Sequence, residues 1–313
     1  MARTAAIPQP VPCRSLATLP DIDANAPVQS MMRPTANDVE HRMLRIGELD
    51  MHVALAGSGE PLLLLHGFPD SAEVWREMIP GLVDAGYRVI APDQRGFGLT
   101  TAPVAVKDYG IDRISADALA LLDALGVKKA ALMGHDWGAV VGWQLAGDHP
   151  ERFSRYVALS VGHPSAYAAA GLEQKLKGWY VLAFQLRGFA ETLFRSRDFA
   201  LLRRMVGDHP EMARWAADLS RPGRVTAGMN WYRANLWRLL TARFARVTIP
   251  VMGLWSSDDV ALAEDQMVKS ARFVDAPFEY HRLEGVGHWL PLDAPDAVTD
   301  LVLAFLSRDL VNR

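Results

Sequence analysis

The stretch KKAALMGHDWGAVVGWQLAGDHP, Lys128 to Pro150, decides the fold. It opens with a short apolar run, turns on two glycines around Asp136, and continues apolar until Pro150 stops it. A short apolar run ending in glycine reads as a buried strand, and the segment after it as a helix. Gly138, Gly142 and Ala146 recur every four residues, so one helix face is built to press closely on a sheet. Enzymes that attack carbonyl groups place a serine at the centre of such a Gly-x-Ser-x-Gly turn. Here the centre is Asp136, a carboxylate at the N-terminus of a helix, where the dipole favours its charge. Aspartate is also a common helix cap, so its role depends on its partners.

The same alternation extends outward. MLRIGELDMHVALAG predicts two strands joined by a turn around Gly47 and Asp50. PLLLLHG suits a strand buried on both faces. SAEVWREMIPGLVDAG predicts one helix capped by Ser71 and closed near Gly86. Then follow a strand in YRVIAPD, a helix in ISADALALLDALGV and, beyond Pro150, a strand in FSRYVALSV. From Val161 to Arg243 the pattern is helical and rich in aromatics, with no clear strand. Alternation returns with strands in TIPVMGLWSSDD and PFEYHRLEGVGHW and helices in EDQMVKSARFV and PDAVTDLVLAFLSR. This order predicts an α/β protein with a parallel sheet wound by helices. Its expected parts are core residues 41–160, a helical insertion at 161–243 and core residues 244–313.

Composition sets the class. Half of the 313 residues are hydrophobic and 22% are charged, as in a globular protein with a sizeable core. The net charge of −3 gives no electrostatic case for nucleic acid or an anionic membrane, and no apolar run is long enough to span a bilayer. The one cysteine, Cys13, has no intrachain partner for a disulfide, which points to a reducing compartment and a cytoplasmic location. Residues 1–40 are rich in Pro and Ala without hydrophobic periodicity and are expected to be a disordered leader, with Met31 or Met32 as an alternative start.

In open α/β sheets the reacting groups gather at the carboxyl ends of strands. Five short sequences lie at such ends: His66 to Asp70, Asp93 to Gly98, Gly134 to Gly138, Ser256 to Asp259 and Gly287 to Trp289. A carboxylate nucleophile needs a base and a group that orients the base. His288 sits on a Gly-flanked loop after the last strand, and Asp259 ends the strand before it. Asp136, Asp259 and His288 then follow the nucleophile–acid–base order of the α/β-hydrolase layout, with Asp258 as the competing acid. His66 and His135, beside tight turns, read as structural. The backbone N–H groups of Trp137 and Phe68 are the expected oxyanion hole.

With these residues in place the chain, from about residue 41 to 313, resembles the α/β-hydrolase-fold epoxide hydrolases. HGFPD, DQRGFG, GHDWGA and GHW all resemble that family's motifs. The resemblance implies a mostly parallel eight-stranded sheet flanked by helices, with a helical cap inserted after strand 6. It also implies two cap tyrosines that donate protons: Tyr180 in GWYVLAFQ and Tyr232 in NWYRANLW, while the setting of Tyr167 does not match. The implied substrate is a small apolar epoxide, opened with water to a diol and without metal or other cofactor. Trp179, Phe184, Trp231 and Trp237 are expected to supply apolar lining.

Two other readings share the turn. Haloalkane dehalogenases also carry an aspartate followed by Trp, but usually have Asn where this chain has Phe68, and lack the paired tyrosines. A protein that kept the fold only to bind a ligand is the non-catalytic alternative. The sequence does not fix an oligomeric state.

Overall fold

The computed structural model describes residues 39–207, 209–241 and 243–308. The expected leader up to residue 38, with Cys13, Met31 and Met32, lies outside them, while Glu40 begins the first strand rather than ending the leader. Eight strands form one sheet: β1 (Glu40–Ile46), β2 (Leu49–Ala56), β3 (Glu60–Leu65), β4 (Tyr87–Pro92), β5 (Ala130–His135), β6 (Phe153–Leu159), β7 (Val251–Ser256) and β8 (Phe278–Leu283). Their order is β1-β2-β4-β3-β5-β6-β7-β8. β1–β2 and β2–β4 are antiparallel, and every other pairing is parallel. A parallel strand covered on both faces must be apolar on both. Accordingly Leu62 to Leu65 in β3, Ala130 to His135 in β5 and Val251 to Ser256 in β7 are all buried.

Twelve α-helices accompany the sheet among the described residues. α1 (Ile79–Asp84), α2 (Ile111–Ala124) and α3 (Trp137–Asp148) lie between strands of the first part. All described elements between β6 and β7 are helical: α4 (Pro164–Ala168), α5 (Leu172–Lys177), α6 (Trp179–Ala183), α7 (Phe189–Val206), α8 (Met212–Ser220) and α9 (Arg224–Thr241). α10 (Glu264–Val268), α11 (Leu290–Asp293) and α12 (Pro295–Leu306) complete the chain. α7 is kinked at Ser196 to Phe199, where three residues adopt left-handed backbone angles. The single helix expected over 71–86 is two pieces, a 3-10 turn at Ala72–Trp75 and α1. Pro80 has no N–H to continue the first piece, but suits the first turn of a new helix. Similarly, EDQMVKSARFV ends as a 3-10 turn, Lys269–Phe273.

α3 packs against β5, β6 and β3, the tightest helix-on-sheet contact near the centre. The four-residue spacing explains it. A Cβ at Gly142 would meet the Tyr156 ring of β6, and one at Gly138 would collide with the backbone at Leu65. A buried aspartate, Asp93 at the end of β4, knits the strand-end loops together. It accepts N–H bonds from Ala72 at 2.8 Å and Leu99 at 2.7 Å and contacts His52 Nδ1 at 2.7 Å. The next residue, Gln94, donates its N–H to His66 Nε2 at 2.9 Å beside the loop that carries Gly67 and Phe68. Among the described residues, no helix is long and apolar enough to cross a membrane.

Candidate active site

Asp136 sits between β5 and α3 with φ +52° and ψ −122°. A non-glycine residue in that region stores about 1–3 kcal/mol of strain, which the surrounding structure must hold. It is held by close packing: Gly138 leaves room for the Leu65 carbonyl, and a Cβ at Gly67 would collide with the Asp136 carboxylate. The carboxylate makes no capping hydrogen bond to α3. Its Oδ1 instead accepts the Phe68 N–H at 2.8 Å. The capping role that the sequence left open is therefore not the one this side chain fills.

His288 reaches both aspartates. Its Nε2 lies 3.6 Å from Asp136 Oδ2, and its Nδ1 lies 2.8 Å from Asp259 Oδ2. The other oxygen of Asp259 accepts N–H bonds from Ala261 and Leu262, each at 2.8 Å. Asp258 is exposed and pairs with the Ser257 hydroxyl at 2.9 Å, so it is Asp259 that faces the histidine. Burial alone would push the His288 imidazole down. The charges of Asp259 and Asp136 and their hydrogen bonds overcome this and raise it to about 10. Burial would likewise raise Asp136, but His288, His135 and the Trp137 N–H outweigh it and hold the carboxyl below the usual carboxylate range. At neutral pH the resting site is thus an imidazolium between two carboxylates.

The tyrosines face the same space. Two cavities, of about 260 and 400 Å³, are both lined by Asp136, Tyr180 and Tyr232. The rings of Tyr180 and Tyr232 meet edge to face with centroids 5.8 Å apart. Burial, and the negative charge of Asp136, push both hydroxyls well above the usual tyrosine value, so both stay protonated. Tyr232 is wedged between Phe68 and Trp137, at centroid distances of 5.9 and 5.0 Å. The larger cavity is lined largely by apolar side chains, among them Leu236, Leu239 and Val140, and the smaller holds Trp179, Trp289, Lys177 and Arg204.

The expected lining needs correction at three residues. Trp179 does line the smaller cavity. Trp231 is fully buried below it, donating its indole N–H to the Arg95 carbonyl at 3.0 Å. Phe184 lies behind Phe68 and Tyr232, at 6.1 and 5.1 Å, and lines neither cavity that contains Asp136. Trp237 points to solvent. Periodicity identifies a helix face, not its depth, so packing residues and lining residues look alike in the sequence.

Other contributors were not read from the sequence as site residues. His135 donates from Nε2 to the His288 carbonyl at 2.9 Å, and the Ser160 hydroxyl donates to the same oxygen at 3.0 Å. Burial, followed by the charge on His288, pushes His135 down to about 4, so it remains a neutral donor. Two residues of α5 hold the loop of Asp259. The Gln174 amide donates to the Ala261 carbonyl at 3.1 Å and accepts the Ala263 N–H at 2.8 Å. Lys177 donates to the Asp259 carbonyl at 2.7 Å. Tyr167, whose setting matched no motif, lines the larger cavity beside Tyr180. Only the position of His135 beside Asp136 offered a signal. Ser160, Gln174 and Lys177 bind main-chain atoms brought near by the fold. Among the described residues no three His, Cys, Asp or Glu side chains are grouped to hold a metal ion.

Residues 60–295 match the family described as alpha/beta hydrolase fold. The chain is 32% identical to epoxide hydrolase A of Mycobacterium tuberculosis, over 85% of this chain and 97% of that protein. It is also 32% identical to the AB hydrolase superfamily protein YfhM of Bacillus subtilis, over 86% of this chain and 98% of that one. Among solved structures, epoxide hydrolase A from Mycobacterium thermoresistibile superposes with a TM-score of 0.76 at 30% identity, covering 86% of this chain and 98% of that one. A strained aspartate on the β5–α3 turn, a histidine between two aspartates and this breadth of likeness agree: the chain belongs to the epoxide hydrolases of the α/β-hydrolase fold.

Proposed function

We propose that this protein opens an apolar epoxide to a vicinal diol by way of an ester on Asp136. The observation that carries the reading is the meeting of Asp136, Tyr180 and Tyr232 on one cavity, with His288 against the carboxylate. An Asp136 oxygen attacks an epoxide carbon. The carbon–oxygen bond breaks, and the departing oxygen takes a proton from Tyr180 or Tyr232. A hydroxyalkyl ester results. Asp136 has then lost its charge, so the imidazolium of His288 yields its proton, which returns through solvent to the tyrosinate. Neutral His288, oriented by Asp259, next takes a proton from water. The hydroxide attacks the ester carbonyl, and the Phe68 and Trp137 N–H groups hold the oxyanion. The diol leaves with the proton from His288, and the acid proton left on Asp136 passes back to the imidazole.

In this reading residues 161–243 are the cap and 41–160 with 244–313 the core. The single cysteine favours a cytoplasmic location. The test is a panel of epoxides and haloalkanes with products identified. Diol from apolar epoxides, abolished by Asp136→Ala, is the expected result. Halide from haloalkanes with no diol from any epoxide would assign the nucleophile to dehalogenation instead.

A further inference from the structure

The outer face of the segment from α5 to α7 is apolar where a solvent-facing surface is normally polar. Leu172, Leu176, Trp179, Leu182, Leu186, Phe189 and Leu193 recur every three or four residues and are all exposed, from 44% at Leu193 to 70% at Leu172. The opposite face is apolar as well, with Phe184, Ala190 and Phe194 buried inward. A helical stretch apolar on both faces needs a partner on each. Trp179, Leu186, Phe189 and Leu193 adjoin around one small cavity, and an exposed apolar patch of this kind marks an interaction site.

Charge selects the partner. Residues 161–243 hold thirteen Lys and Arg against six Asp and Glu, while the rest of the chain holds twenty against thirty. The near-neutral total conceals a basic segment on an acidic remainder. Within the patch, Glu173, Glu191 and Asp198 are paired with Lys177, Arg233 and Arg203. Lys175, Arg187, Arg195 and Arg197 are exposed and, among the described residues, have no carboxylate partner. Exposed Trp, Phe and Leu interleaved with unpaired Lys and Arg is the composition of a surface that lies in an anionic lipid interface. A second copy meeting this face symmetrically would bring two basic patches together. Residues 1–38, with three arginines and three aspartates, offer no opposite charge.

We propose that the face running from Leu172 to Arg197 docks on an anionic lipid surface. The patch is continuous with the site: Trp179 also lines the smaller cavity and Leu182 the larger. Docking there places both cavities beside the bilayer, into which apolar molecules partition. The docking itself does not depend on which reaction the site performs.

Sedimentation of the full chain with phosphatidylcholine vesicles, with and without phosphatidylglycerol, tests this. Binding to the anionic vesicles that is lost in high salt is expected. Replacing Arg187, Arg195 and Arg197 together by Gln should weaken it on the order of a hundredfold, from about fivefold per basic residue. Leu186→Ser with Phe189→Ser should weaken it with the charges intact. Val104→Ser, at an exposed valine outside the patch, should leave it unchanged and controls for folding. Absence of vesicle binding, or binding insensitive to lipid charge and to the arginine variant, overturns the proposal. So does a full chain that is oligomeric by light scattering, becomes monomeric in the Leu186/Phe189 variant, and binds no vesicles.

Discussion

Removing the charge of Asp136 should release the proton of His288. The two groups are 3.6 Å apart, and the imidazole, raised to about 10, owes part of that rise to Asp136. At an effective dielectric constant of about 20, one unit charge at that distance is worth roughly 5 kcal/mol, or a little over three pH units. His288 should then fall from about 10 to roughly 7 when Asp136 is neutralised, with Asp259 still beside it. That is the change a base needs if it must stay protonated before alkylation and become neutral after it. Asp136→Ala mimics the loss of charge and can be followed by NMR titration of the His288 ring. The wild-type imidazole should titrate near 10 and the variant's near 7. An unchanged titration would mean that Asp259 alone sets the histidine. The ester would then face an imidazolium unable to activate water, and the proposed second step would fail.

Other expectations concern the same groups. His288→Gln should slow alkylation, because Asp136 loses the charge that keeps it ionised, and stop hydrolysis altogether, so that on long incubation a confirmed substrate adds its mass to the peptide containing Asp136; an unmodified peptide would refute the ester. Tyr180→Phe or Tyr232→Phe removes one of two donors to a developing alkoxide, about 1.5–3 kcal/mol or roughly 10- to 150-fold on alkylation alone. Rapid-quench measurement of ester formation and decay separates the steps, and equal slowing of both would contradict the donor role. Stability should fall on acidification. His135 and His163 are each held by burial at about 4, below their unfolded value near 6.5. Their contributions are complete above about pH 6.5 and are lost as pH falls toward 4, each at up to about 1.4 kcal/mol per pH unit. Thermal unfolding from pH 7 to 4 measures the slope, and His163→Gln should flatten it.

The sheet was legible because its strands are short, apolar and punctuated by Gly and Pro. Val161 to Arg243 was legible as helical from its periodicity, but its depth was not. Trp231 on α9 and Phe184 at the end of α6 are buried and line neither cavity that contains Asp136, and a period of 3.6 cannot separate lining from support. The order Asp136, Asp259, His288 was readable because each follows the end of a strand. Its supports were not. Gln174, Lys177 and Ser160 bond to main-chain oxygens of Ala261, Asp259 and His288, and a carbonyl acceptor leaves no trace in residue type. Total charge misled in a related way, since −3 over the chain hides the opposite signs of its parts.

These supports also explain why a carboxylate can serve on this turn. Buried without partners, an aspartate takes up a proton and ceases to attack. Here His288 keeps Asp136 ionised, and Asp259 keeps His288 charged. α5 in turn holds the Asp259 loop from the helical segment, through Lys177 and Gln174. The charge state of Asp136, just after β5, therefore depends on a helix some forty residues further along the chain. A perturbation of α5 that loosens the Asp259 loop should act on Asp136 through the histidine. It would lower the imidazole and raise the carboxyl together, although no residue of α5 touches Asp136 through a hydrogen bond.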